Sequence, residues 1–267
     1  MAVKLYNDSN YQELLPDSQG VFEFEGPRVM NFVPPKAGVG EVKGTIPFPD
    51  KLIPRSDWPA LIQKKDAEKS WLEDMVRGVV KCSDQNGLGY CHGYGTKGAG
   101  ECCRLIMGLP YIELSGESIA GPVTNWRNAG ADPADDLEQL STYGACPQSF
   151  MDAPHSRSPK KWKAGWEQYA LNFRATEIWD IRGGSKSFDF VATCALLGLA
   201  CASGFQWWSH FISGPYRLID LGRGKFALRY RNNWGSKWGD DGFVDFQEGK
   251  GDPDWAFAIR QMVPFDA

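Results

Sequence analysis

Histidine is scarce in this chain: three residues in 267, namely His92, His155 and His210. Any step that needs an imidazole near neutral pH must draw on one of them. Uninterrupted apolar sequence is also short. No run reaches the roughly 18 residues that a membrane-spanning helix needs. The longest candidate, FVATCALLGLACASGF (190–205), reads as buried core. The opening MAVKLYNDSNYQELLPDSQG has no apolar stretch of signal-peptide length, so Sec-type secretion is not expected. A long basic tract is missing too. KKWK (160–163) is a local cluster in a chain of net charge −4, which argues against nucleic acid or an anionic membrane as the main partner.

The cysteines lack a pattern. There are seven, Cys82, Cys91, Cys102, Cys103, Cys146, Cys194 and Cys201, an odd count with no C-x-x-C pair. That excludes a disulfide framework and leaves reduced thiols as the expectation. Cys102 and Cys103 are adjacent, and adjacent helical side chains diverge by about 100°, so the two do not suit one tetrahedral zinc ion. Neither a metal nor an organic cofactor is expected.

What is present is globular. Hydrophobic residues make up 42% and aromatics 13%, with eleven tryptophans. The length suits one large domain or two lobes around a cleft. Thirty glycines and seventeen prolines predict many turns and exclude an all-helical protein. Residues 1–53, with LLPDSQG, VPPKAGVG and TIPFPDKLIP, read as an extended arm in which VFEFEG could be a strand. From residue 54 the texture becomes globular. KKDAEKSWLEDMVRGVV (64–80), the segment after Cys91 and DPADDLEQLSTYG (132–144) carry helical patterns. KFALRYRNNWG, DGFVDFQEG and FAIRQMVPF alternate as strands do. Helices before strands, without a βαβ rhythm, give an α+β fold with a helical lobe over about 64–150 and a β-rich lobe over about 185–267. Four glycines after Cys91 (Gly93, Gly95, Gly98 and Gly100) each cost a helix about 1 kcal/mol, which predicts a central helix closely approached by its neighbours.

The chemistry gathers at SDQNGLGYCHGYG (83–95). A thiol attacks as its thiolate, and a helix amino terminus and a partner histidine both favour that form. Cys91 lies where a glycine-rich turn meets a helix. His92, its neighbour, diverges from it on a helix. His155, in DAPHSRSP, reads as a surface residue. His210, in FQWWSHFISG, is the best candidate base, and Asn232 in RNNWGSKWGDDGF is a candidate to orient it.

These segments resemble the papain-like cysteine peptidase family of the C1 type. DQNGLGYCHGYG is similar to its active-site turn, in which a glutamine precedes the nucleophile by six residues, as Gln85 precedes Cys91. RNNWGSKWGDDGFVDF resembles the family's Asn-Ser-Trp-Gly-x-x-Trp-Gly-x-x-Gly-Tyr segment. Trp58 in IPRSDWP and the stretch ELSGESIAG (113–121) echo it further. The resemblance implies a two-lobed papain-like domain over 54–267, with a barrel-like β-rich lobe and the active-site cleft between the lobes. It implies a thiol-dependent endopeptidase acting on polypeptides. Cys91 would be the nucleophile, His210 its base and acid, Asn232 the orienting group and Gln85 an oxyanion-hole donor, with Trp234 covering the His210–Asn232 bond.

The sequence also departs from the family. Leu88 stands where a disulfide-bonded cysteine is usual, which fits a reducing compartment. His92 replaces a tryptophan and Ser209 an aspartate or asparagine. NAG (128–130) matches the paired-glycine substrate shelf only loosely, and the arm is short for a helical pro-segment. A rival reading is a papain-fold structural or binding subunit of a larger assembly, such as a virion, reached through the arm. A third is acyl transfer or amide hydrolysis on cell wall or ubiquitin-like conjugates. The expected location is cytoplasmic or virion-associated.

Overall fold

The structure is a computed structural model that describes residues 3–16, 32–33, 45–48, 51–182 and 186–265. The expected VFEFEG strand lies outside them. Seven α-helices precede or interrupt the strands in the described residues: α1 (Trp58–Glu68), α2 (Leu72–Val76), α3 (Cys91–Ile106), α4 (Gly116–Val123), α5 (Pro133–Thr142), α6 (Trp166–Ala170) and α7 (Ser187–Leu197). The strands are β1 (Leu5–Tyr6), β2 (Ile46–Pro47), β3 (Ala175–Arg182), β4 (Ala200–Phe205), β5 (His210–Gly222), β6 (Lys225–Arg231), β7 (Phe243–Gln247) and β8 (Trp255–Met262). They form one sheet in the order β1-β7-β6-β5-β4-β8-β3-β2. Its interior pairings are antiparallel. The two short edge strands pair parallel, β1 on β7 and β2 on β3. Segments from the first fifty residues therefore close both sides of the sheet.

The single helix expected over 64–80 is two. Lys69 adopts a left-handed φ of 50° and ends α1. Trp71 then turns inward, with 1% of its surface exposed. Its indole N–H donates to Asp66 at 2.6 Å, and its backbone N–H donates to the Asp74 carboxylate at 3.1 Å, which starts α2. Burying so large an indole with its donor satisfied outweighs the few tenths of a kcal/mol by which helix propensities separate ordinary residues.

Helix α3 lies against α4 on one side and β4, β5 and β8 on the other. Its glycines show why. A methyl group on Gly93 would come within 2.6 Å of the Gly116 carbonyl, and one on Gly95 within 2.6 Å of the Phe211 ring. One on Gly98 would meet Ser213 at 2.9 Å, whereas one on Gly100 would make ordinary contact, its nearest atom 3.5 Å away. Gly95→Ala is therefore expected to destabilise the protein by about 1–3 kcal/mol through overpacking. Gly100→Ala should leave stability unchanged or raise it by up to about 1 kcal/mol, the gain in helix propensity. Urea unfolding of the two variants checks the contrast.

Two apolar clusters divide the interior. One contains Trp58, Trp71, Trp208, Trp234 and Trp238 beside α7 and the sheet. The other contains Cys91, Leu114, Ile119, Leu137, Phe211 and Phe257 around α3. Cys91 belongs to one cluster and Trp208 and Trp234 to the other.

Candidate active site

Cys91 is the first residue of α3, where unsatisfied backbone N–H groups and the helix dipole favour negative charge. The turn ahead of it is clamped. Asp84 accepts from the Asn86 backbone N–H at 2.8 Å. Asn128 accepts from Gly89 N–H at 2.6 Å and donates to the Gly87 carbonyl at 2.9 Å. The loosely matched NAG segment thus clamps the turn ahead of Cys91, a role its composition did not reveal. Gln85 is fully buried; its side-chain amide donates to the Leu88 carbonyl at 2.7 Å. Its backbone N–H donates to the Asn233 carbonyl at 2.8 Å, while the Asn233 side chain donates to the Cys91 carbonyl at 3.3 Å. Asn233, one residue past the singled-out Asn232, therefore ties the carboxy-terminal motif to both the glutamine and the cysteine.

His210 opens β5 and is fully buried. Its Nε2 lies 2.8 Å from Asn232 Oδ1. The same Oδ1 accepts the Asn233 backbone N–H at 2.8 Å. A backbone N–H can only donate, so this atom is the amide oxygen. Nε2 must then carry the hydrogen it donates. That leaves Nδ1 as the basic nitrogen, and Nδ1 makes no hydrogen bond among the described residues. Trp208 packs edge-on against the ring at 4.7 Å and Trp234 lies tilted over it at 4.9 Å. Burial lowers the His210 pKa to about 4, opposed by the Asn232 hydrogen bond.

The other two histidines turn elsewhere. His92 points into the helical lobe, its Nδ1 2.9 and 2.7 Å from the two carboxylate oxygens of the buried Asp136. No local sequence pattern signals this pairing across 44 positions. His155 is half-buried and sits 3.2 Å from the Tyr94 hydroxyl.

All seven cysteines are buried thiols. Burial pushes Cys82 up to about 11, and Cys102, Cys103 and Cys146 up to about 12, which keeps these thiols protonated and unreactive at neutral pH. Cys194 is pushed up by burial as well. The arm also reaches the site. The Phe32 backbone N–H donates to the carbonyl of Ser209, the residue before His210, at 2.9 Å. The Phe32 ring stacks on Phe211 at 5.8 Å.

No family model matches this sequence, and no curated protein matches it. Solved structures do share its fold. Xylellain, a cysteine protease from Xylella fastidiosa, aligns with a TM-score of 0.62 at 17% identity over 90% of this chain and 99% of that one. Digestive procathepsin L 3 of Tenebrio molitor larval midgut aligns with a TM-score of 0.58 at 14% identity over 80% and 72%. The proform of the ragweed pollen cysteine protease Amb a 11 aligns with a TM-score of 0.56 at 15% identity over 82% and 69%. The chain has the papain-like α+β fold, and at these identities the likeness speaks to fold alone.

Proposed function

We propose that this protein is a thiol-dependent endopeptidase that cleaves polypeptides through an acyl-enzyme on Cys91. The observation that carries the reading is the buried 2.8 Å His210–Asn232 hydrogen bond beneath two tryptophans, on the fold that the solved cysteine proteases share. Dry surroundings strengthen that bond and hold the imidazole in one tautomer. His210 Nδ1 takes the Cys91 proton, and the sulfur attacks the scissile carbonyl carbon. The developing oxyanion is held by the Gln85 amide and the Cys91 backbone N–H. As the tetrahedral intermediate collapses, the carbon–nitrogen bond breaks and His210 gives the leaving amine its proton. Water, deprotonated by His210, then attacks the thioester, releasing the acid product and returning the thiol. The hydrogen bond from Phe32 to Ser209 supports a polypeptide as ligand, because a main-chain N–H already binds the carbonyl beside His210.

Iodoacetamide labelling with mass mapping of all seven cysteines tests the reading. Cys91 should be labelled first, and His210→Ala should abolish that preference. Phe32 is buried. Replacing a buried phenylalanine by a small residue costs about 3 kcal/mol or more. Phe32→Gly should therefore loosen the arm's hold on Ser209 and speed Cys91 labelling by about 10²-fold. Labelling spread evenly over the cysteines, or unaffected by His210→Ala, would count against a catalytic thiol.

A further inference from the structure

The peptidase reading uses His210, Asn232 and Trp234, but not whatever holds the short turn that aims His210. Ser209 ends that turn with φ at +50°, a left-handed conformation that costs a residue with a side chain roughly 1–2 kcal/mol. Such strain persists where the surroundings over-determine it, and it clusters at functional sites. Strand β5 departs from Ser209, so this turn sets the direction of the imidazole.

Each residue of the turn is tied down from outside it. Gln206 N–H donates to Asp254 at 2.6 Å, and the Trp207 indole N–H donates to the Lys250 carbonyl at 3.1 Å. The Trp208 indole N–H donates to the carbonyl of Leu14 at 3.1 Å. That last partner comes from the arm, and the Leu14 side chain is fully buried. Around it the arm is anchored at several points. Tyr11 meets Trp207 edge-on at 5.4 Å. The Lys250 ammonium lies 3.6 Å from the centre of the Tyr11 ring and 3.6 Å from the Asp8 carboxylate. Strand β1 pairs with β7, and Tyr6 packs at 6.3 Å on Phe246, which in turn packs at 5.5 Å on Trp208.

We infer that residues 3–16 are a permanent positioning element of the active site: they press Trp208 against His210 and hold the ring in register with Asn232. The inference rests on the peptidase reading and extends it to a segment with no chemistry of its own. It gives the arm two distinct parts. Phe32 occupies the Ser209 carbonyl beside the base, while residues 3–16 brace the base from the tryptophan side. Loss of the brace should act on the chemical step, because a misplaced base slows proton transfer without weakening substrate contacts.

The test uses full-length Leu14→Ala, Leu14→Met and Trp208→Phe with the best peptide of a quenched-fluorescent library. Leu14→Ala should lower kcat by on the order of tenfold, within the range that small misplacements produce. KM should stay within about twofold, as expected when substrate binding is untouched. Leu14→Met, which refills the volume, should restore most of kcat. Trp208→Phe keeps an aromatic ring and loses the N–H donated to Leu14, and it should lower kcat severalfold. It carries the test if Leu14→Ala does not fold. Folded variants with wild-type kcat, or with changes confined to KM, overturn the inference alone. A wild type lacking Cys91-dependent cleavage overturns the peptidase reading beneath it.

Discussion

Cys91→Ala is expected to lower kcat/KM for peptide cleavage by on the order of 10⁶-fold, and His210→Ala by nearly as much, because members of a nucleophile–base pair act as a unit. Without the sulfur there is no acyl-enzyme. Without the imidazole the sulfur stays a thiol in a site whose exposure to water is nil for both residues. Asn232→Ala should cost less, on the order of 10²-fold, since it orients the ring and exchanges no proton. The double variant Cys91→Ala/His210→Ala should be no worse than either single one. Steady-state cleavage of a quenched-fluorescent peptide, with an enzyme-free blank as the background, gives all four values. More than a hundredth of wild-type activity in Cys91→Ala would place the reaction elsewhere.

The residues proposed for catalysis come partly from the residues themselves, which single out Cys91 and His210, and partly from the family resemblance, which brings in Gln85 and the roles. The six-residue spacing of Gln85 and Cys91 carries meaning only through the family resemblance; the helix start at Cys91 and the glycines of α3 are readable directly, and the structure shows close neighbours at Gly93, Gly95 and Gly98. Elimination among three histidines singled out His210, and the ring indeed meets Asn232. What could not be read was whatever depends on one side chain finding another across the chain. His92 and Asp136 pair between two helices, and Asn128 clamps the Gly87–Gly89 turn with a single amide. Strands β1 and β2 are two residues each, too short to show any alternation. The break between α1 and α2 is a tertiary effect, the burial of Trp71, imposed on a sequence that is locally helical throughout.

Acid should expose the cost of keeping His210 buried. Its pKa falls to about 4 because burial disfavours the imidazolium, against an ordinary value of about 6.5. Above pH 6.5 neither the folded nor the unfolded chain protonates this ring, so His210 contributes no pH dependence there. As pH falls from about 6.5 to 4, the unfolded chain takes the proton and the folded chain does not, so stability is lost on the acid side. Each pH unit crossed in that window removes about 1.4 kcal/mol, so the full loss is on the order of 3 kcal/mol, reached near pH 4. His210→Gln removes the titrating group while every other acid-sensitive residue remains. Urea unfolding of wild type and His210→Gln at pH 7, 5.5 and 4.5 should therefore give curves that converge or cross in favour of the variant as pH falls. Curves that run parallel across that range would mean the ring is hydrated in the resting protein. The same burial shapes the proposed catalysis. A closed site holds the base neutral, with Nδ1 unprotonated. Displacing Phe32 from Ser209 would admit water and substrate, bring the ring back toward its ordinary value and allow the thiolate–imidazolium pair to form. Phe32→Gly should then recover part of the acid-side loss in the folded protein while it speeds labelling of Cys91, two changes that a purely structural histidine would not link.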